Sequence, residues 1–396
     1  MARTASADLP GLPLELDLDD EQQQLAEATR GFLARHYPVA DARAVLEGER
    51  ERDAEGWRRA AEMGWAAVLA GEELSGLEAG PPEATIVAEE LGRAVNWMPF
   101  LGNALATAAL AGTLGRVRSS DRIPAISANS SAGELLGRVV AGEASAAWAG
   151  PEPRGESWGA EGVRAAARRE GEGFVIDGVK RLVAAAALAA DLVVTARLDG
   201  RLTDFVVPAD APGVTIEPAR TLDLTRRFPT VKLEGVAIPA DAEVVRAEGS
   251  TYDGVLDLAA LLVAADSIGA GERLQELTVE YALDRIAFGR PIGSYQAVKH
   301  FCADMLLRVE ASRAAVRGGA LLLAAGDPGA ARAVAVAASY AADATTWIAG
   351  TALQVHGGIG FTWEHDLHLY LRRIEADAAL FGSAREQRRR LAGMVL

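Results

Sequence analysis

The residues whose types and spacing could do chemistry gather in the last third of the chain. In DRIAFGRPIGSYQAVKH, residues 284–300, Arg285 and Gln296 flank a break at Gly289–Pro291. A guanidinium can grip pyrophosphate oxygens through two parallel charge-assisted hydrogen bonds. In QVHGGIGFTWEHDLHLYLRR, residues 354–373, Gly357 and Gly358 would let backbone N–H groups approach phosphate with no side chain between. Taken alone, Arg285 reads as an exposed helix-end arginine, and the two glycines as an ordinary helix-breaking turn. His356, His365 and His368 raise the question of a metal, but no matching carboxylate pair repeats their spacing. Glu364, Asp366, Glu375 and Asp377 could act as bases, although such a run usually marks a charged helix face. Arg385, Arg388, Arg389 and Arg390 read as a solvated helix end rather than a phosphate site. Cys302 is the only cysteine, which leaves no intrachain disulfide and no cysteine cluster for a metal.

Elements must position these residues, and 396 residues suffice for two or three domains. Asp19 and Asp20 are N-cap candidates for a helix that puts Leu18, Leu25 and Phe32 on one face. Apolar residues at three- and four-residue steps predict further helices over 54–70 and 83–96, and 100–115 reads as a buried one. Gly71 and residues 76–82 read as loop. From about residue 145 the texture changes to short β-branched runs between Gly, Pro and Asp turns. That pattern predicts an antiparallel sheet or small barrel, and no GxGxxG opens a helix after a strand. Helical periodicity returns over 254–284, 291–324, 329–353 and 364–392, which predicts an up-and-down four-helix bundle. The α+β organisation expected is a helical domain (1–140), an antiparallel β domain (141–250) and a four-helix bundle (251–396).

Composition excludes some partners. Forty basic residues face 55 acidic ones, a net charge of −15, so there is no basic footprint for nucleic acid or an anionic membrane. The N-terminus has no apolar core of signal-peptide length, and no uninterrupted apolar run approaches the roughly 18–20 residues of a membrane span. A cytoplasmic protein is expected.

The 284–300 and 354–373 motifs, with MGWAAVLAGEELSG (63–76) and VAEELGR (87–93), resemble the acyl-CoA dehydrogenase family over essentially the whole chain. The resemblance implies FAD shared across a subunit interface. Arg285, Phe288 and Gln296 would contact it from one motif, and Gln354, Gly357 and Gly358 would hold its ADP half from the other. It also implies an acyl-CoA substrate, a carboxylate that removes the α-proton while flavin takes the β-hydride, and electron-transferring flavoprotein as acceptor.

The carboxylate is missing. One family home of the base is a Tyr-Glu-Gly-Thr step, which here becomes Leu380-Phe381-Gly382-Ser383; a phenyl ring accepts no proton. The other home, at the start of the first bundle helix, falls on Ala259, with Ala260 beside it. The β domain departs likewise. The family's Trp-Ile-Thr, which packs and hydrogen-bonds the flavin ring, becomes Leu182-Val183-Ala184, and WAGPEPRGESWG (148–159) is a degenerate flavin loop. No catalytic residue is therefore assigned. The chain resembles the non-catalytic subunits of heterotetrameric acyl-CoA dehydrogenases of bacterial steroid side-chain catabolism. It would then complete the FAD site of a catalytic paralogue in an α2β2 tetramer. Two rivals stay open: an active homotetramer with an unrecognised base, and a flavin-free scaffold of the same fold.

Overall fold

The computed structural model describes residues 16–47, 54–70, 79–111, 130–152, 159–244 and 252–395. Parts of the readings above, at 71–78, 112–115 and 153–158, lie outside the described residues.

Among the described residues six helices come first: α1 (Asp20–His36), α2 (Val39–Glu47), α3 (Ala54–Glu62), α4 (Pro81–Arg93), α5 (Phe100–Ala111) and α6 (Ser131–Val140). Asp19 caps α1 by accepting from Gln22 N, and the Gln22 side chain accepts from Asp19 N in return. The helix expected over 54–70 stops at Glu62, because Gly64 enters the left-handed region at φ 86° and residues 63–69 run on as turns.

The sheet contains β1 (Ala146–Ala149), β2 (Ala166–Glu170), β3 (Gly173–Lys180), β4 (Asp191–Leu198), β5 (Arg201–Pro208), β6 (Val214–Glu217), β7 (Thr230–Ile238) and β8 (Glu243–Val244). Its order is β6-β7-β3-β2-β4-β5-β8, with β1 also on β4. Most pairs are antiparallel, as expected, but β4 pairs in parallel with both β1 and β2. The sheet is therefore mixed. β4 skips β3 to reach β2, and strands two apart in an up-and-down chain run the same way.

The last part is α7 (Tyr252–Asp284), a small hairpin of β9 (Ile286–Ala287) and β10 (Arg290–Pro291), α8 (Gln296–Ala324), α9 (Ala330–His356), α10 (Leu367–Asp377) and α11 (Ala384–Val395). Three long helices and two shorter ones replace the four expected. The 291–324 segment starts its helix only at Gln296, because Arg290 and Pro291 are spent in the hairpin. The 364–392 segment breaks at 378–383, where Phe381 (φ 52°) and Gly382 (φ 101°) turn left-handed. α7 is long and apolar enough to cross a membrane by length and composition, although Asp257 and Asp266 interrupt its apolar run, and 94% of its apolar window is buried inside the molecule. It is the core helix.

α4 crosses α7 with almost no space between backbones. A Cβ added to Gly92 would lie 1.8 Å from Asp266 O, and one on Gly269 would lie 1.8 Å from Glu89 O. Charges flanking the crossing tie it down: Arg93 reaches Glu272 (2.8 Å) and Glu276 (2.6 Å), and Arg313 of α8 reaches Glu89 (2.7 Å) and Glu272 (2.8 Å). The VAEELGR motif is thus the helix that clamps the N-terminal helices onto the bundle. Gly92→Ala is expected to destabilise the protein by about 1–3 kcal/mol through overpacking. Gly137→Ala, in an exposed stretch of α6 with open space around it, should instead stabilise by up to about 1 kcal/mol. Paired thermal unfolding of the two variants checks the contrast.

Candidate functional site

The residues that the sequence marks for a dinucleotide lie at one end of the bundle. α8 and α9 run antiparallel, so the C-terminal ends of α7 and α9 meet the start of α8; Tyr281 stacks on His356 there at 4.5 Å. Arg285, Gln296, Gln354, Gly357 and Gly358 are all exposed at this end. Phe288 is 97% exposed at the hairpin tip, with φ 51°. Ile286, Ile359, Phe361 and Trp363 are exposed beside them. An open guanidinium, exposed glycine backbone and uncovered aromatic rings suit the phosphate and adenosine half of FAD. This half fits.

The histidines do not make a metal centre. His356 is buried, its Nδ1 lies 2.8 Å from Ala352 O, and burial lowers its pKa. His365 meets it edge-on at 5.0 Å, and His368 stacks on Trp363. No group of three potential ligands occurs among the described residues. Arg388 and Arg390 bind α11 to the bundle through Asp343 and the buried Asp257, which corrects the expectation of a wholly solvated helix end.

Both expected base positions are filled with apolar side chains. Phe381 is 4% exposed and Ala259 fully buried, in one continuous core. The turn that carries Phe381 packs on α7, since Ala260, Val263, Leu380 and Gly382 line one small cavity there. Among the substitute carboxylates, Asp366 is held by Arg43 at 2.5 Å and Glu364 is exposed. Asp377 is buried and committed to Arg226 at 2.6 Å.

That last pair belongs to a buried cluster where all three parts of the chain meet. Arg226, from the β6–β7 connection, donates to Asp223 (2.8 Å) and Asp377 of α10. Arg373 of α10 holds Asp266 of α7 with two bonds of 2.7 Å and donates to Asn96 O (2.8 Å), just past α4. Burial would raise the Asp223 carboxyl, but Arg226, Arg373 and Thr225 outweigh it and hold it at about 2. At Asp266 burial is likewise outweighed, by Arg373 and then Arg226. At Asp377 burial wins: its pKa is well above the usual carboxylate range, and its Oδ2 is buried without a donor. Three carboxylates face two guanidiniums, so one proton on Asp377 makes the cluster neutral.

The flavin-ring side does not fit. Leu182 and Ala184 sit in the loop after β3, not in a strand, and Leu182 is left-handed at φ 55°. α5 presses on this loop: a Cβ on Gly102 would lie 2.5 Å from Ala184 O. Asn103 of α5 also accepts from Ala146 N at 2.9 Å. Ala184 carries no hydroxyl and Leu182 no aromatic face for a flavin ring. Below the loop, Lys180, one of only three lysines, is fully buried on Glu152 (2.6 Å) and Gly150 O (3.0 Å). Burial drives the Lys180 amine down and Glu152 pulls it back. The sequence reading missed both this pair and the Asp–Arg cluster. The available signals were a lone lysine ending a strand and the polar TLDLTRR between two strands.

A helical part, a mixed sheet and a second helical part around such a junction define an acyl-CoA dehydrogenase architecture. The acyl-CoA dehydrogenase N-terminal domain model matches residues 19–130 and the C-terminal domain model residues 251–396. The chain belongs to the acyl-CoA dehydrogenase family. Acyl-CoA dehydrogenase IpdE2 of Mycolicibacterium smegmatis is 33% identical over 385 residues, covering 96% of this chain and 100% of its own. IpdE2 of Mycobacterium tuberculosis is 34% identical, covering 95% and 98%. Among solved structures, the ChsE4-ChsE5 complex from Mycobacterium tuberculosis matches with a TM-score of 0.82 at 27% identity, over 96% of this chain and 98% of that one. A Tcur3481-Tcur3483 steroid ACAD matches at 0.79 and 26%, over 95% and 97%.

The cluster predicts a stability pattern. Asp223, held below its ordinary 3.8, contributes stability above that value and loses it as pH falls from about 4 toward 2. Asp377 has the opposite sign: its contribution is full below the unfolded value and is lost as pH rises through its raised folded value. Asp377→Asn, which mimics the protonated carboxyl, should stay within about 1 kcal/mol of the parent at neutral pH and flatten the loss at higher pH. Arg373→Ala strands Asp266 and should cost about 3–5 kcal/mol. Denaturant unfolding across pH 2–9 reads both.

Proposed function

We propose that this chain is the base-less subunit of a heteromeric FAD-dependent acyl-CoA dehydrogenase and completes the FAD site of a catalytic paralogue. The observation that carries the reading is a split. Phe381 is packed in the core where the family keeps its base, while Arg285, Phe288, Gln296, Gln354, Gly357 and Gly358 lie open at one bundle end. FAD, when bound, supplies the hydride acceptor for α,β-desaturation of an acyl-CoA thioester. This chain's part is to bind: Arg285 grips the pyrophosphate, Gln296 and Gln354 hydrogen-bond the ADP half, and the Gly357–Gly358 backbone cradles phosphate. Phe288 covers the cofactor from water. The paralogue supplies the carboxylate and the ring contacts that Leu182 and Ala184 lack, in an α2β2 assembly. The ChsE4-ChsE5 complex and the Tcur3481-Tcur3483 steroid ACAD support a heteromeric partner and an acyl group of steroid type. Electron-transferring flavoprotein is the acceptor we assign, and the cytoplasm the compartment.

Purified alone, the chain should carry far less than one flavin, read as flavin absorbance per chain after gel filtration. Near one flavin per chain with acyl-CoA-dependent bleaching would overturn the reading. In the complex, Arg285→Ala should weaken FAD retention by roughly 10- to 150-fold, the value of a lost charge-assisted contact of ~1.5–3 kcal/mol. Unchanged affinity would mean that this chain does not hold the ADP half.

A further inference from the structure

The loop that carries Gly357 and Gly358 is weakly held by its own packing. Gly357 ends α9 at φ 62°, and in the tight turn Gly357–Phe361 that follows, Gly360 is the buried residue. Ile359 and Phe361 stand out from the surface. Thr362 closes the turn on Ile359 O through its N–H (3.1 Å) and its hydroxyl (2.9 Å). Such local bonds shape a turn but do not fix the direction in which it points. A segment with few buried contacts opens at low free energy unless something outside it holds it.

The outside hold comes from α2, more than 300 residues earlier in the chain. Arg43 and Glu47 lie one helical turn apart there, so their side chains share a face. Arg43 donates through Nη1 to Trp363 O and through Nε and Nη2 to Asp366 Oδ1 (3.2 and 2.5 Å). Trp363 donates its indole N–H to Glu47 Oε1 at 3.0 Å. The indole lies flat on His368 of α10, with centroids 4.3 Å apart and 14° between planes, and the Arg372 guanidinium lies 5.8 Å from its centre. Ala42 and Val45 bury α2 in the core, so the anchor itself is fixed. Trp363 follows the glycine turn within two residues and is therefore gripped at its backbone carbonyl and at its ring.

We propose that Arg43 and Glu47 are positioning residues for the dinucleotide: by gripping Trp363 and Asp366 they set the direction in which Gly357 and Gly358 present their backbone N–H groups. What the loop binds rests on the shared-FAD reading above, whereas the grip itself does not. Both side chains act through Trp363. Glu47 carries the wrong charge to meet a phosphate, and the Arg43 guanidinium is already committed to Asp366 and Trp363 O. A binding group placed on a loop needs a supporting contact of this kind to hold its geometry. The N-terminal helices thus share in the dinucleotide site at the far end of the bundle.

Hydrogen-exchange mass spectrometry on the full-length chain reads the grip, and FAD dissociation from the complex with the paralogue reads its purpose. Glu47→Ala and Trp363→Phe should each speed amide exchange over residues 357–363 by roughly 3- to 10-fold, the size of one lost, partly exposed hydrogen bond. The double variant should exchange no faster than either single one. Glu47→Gln keeps a carbonyl oxygen for the indole N–H and should exchange like the parent. In the complex, Glu47→Ala should speed FAD loss by a similar factor with the unfolding midpoint near the parent's, and Glu47→Gln should not. Parent-like exchange in Glu47→Ala, or additive effects in the double variant, overturns the grip however FAD is held. Faster exchange with parent-like FAD loss, while Arg285→Ala still releases FAD, overturns the positioning role and leaves the shared site standing. Parent-like FAD loss in both Glu47→Ala and Arg285→Ala overturns the two together.

Discussion

The constraint on which the rest of the structure depends is charge balance at a buried junction. Asp223, Arg226, Asp266, Arg373 and Asp377 come from the β6–β7 connection, the core helix and the α10 helix, and all are buried. None of these charges is tolerable alone in such surroundings, so each requires the others in place. Asn96 O joins the N-terminal helices to the same network. The glycine crossing of α4 on α7 lies at the same point, since the backbone oxygen that Gly92 meets is that of Asp266. Backbone contact and ion pairing therefore fix one relative placement of the three parts.

The consequence reaches the position where catalysis would be expected. Asp377 ends α10, and the turn with Leu380, Phe381 and Gly382 follows within five residues. With Asp377 tied to Arg226, that turn is pressed onto α7 and Phe381 enters the core in a left-handed conformation unusual for a bulky residue. A carboxylate there would need a partner that the apolar surroundings of Ala259 and Ala260 do not offer. The region is built for packing. The opposite end of the bundle is built for contact: Arg285, Gly357, Gly358 and the rings of Phe288 and Phe361 lie exposed there among the described residues.

The broad architecture was legible because it rests on periodicity: 3.6 for the helices, short β-branched runs for the sheet. The substitutions at Phe381, Ala259, Leu182 and Ala184 were legible because a family motif gives each position a required chemistry. What failed to show was anything depending on three-dimensional neighbours. The break of the last helical segment at Phe381–Gly382 is a left-handed turn in residues with good helical pattern. The parallel pairing of β4 depends on which strand it skips. Asp377 read as one charge on a solvated helix face, and Arg390 as part of a solvated helix end, because pairing across 151 residues to Arg226 and across 133 to Asp257 leaves no local trace. Lys180 and Glu152 are separated by 28 residues and by a strand, with the same result.

The most direct test of the account is a flavin count on the assembled complex. This chain is co-expressed with a paralogue that retains a complete Tyr-Glu-Gly-Thr step, and the intact assembly is weighed by native mass spectrometry while its FAD is quantified. The account predicts an α2β2 tetramer with about half as many flavins as chains, because only the partner offers a ring pocket and a base. One flavin for every chain, or a partner that keeps all its flavin as a homo-oligomer without this chain, would contradict it.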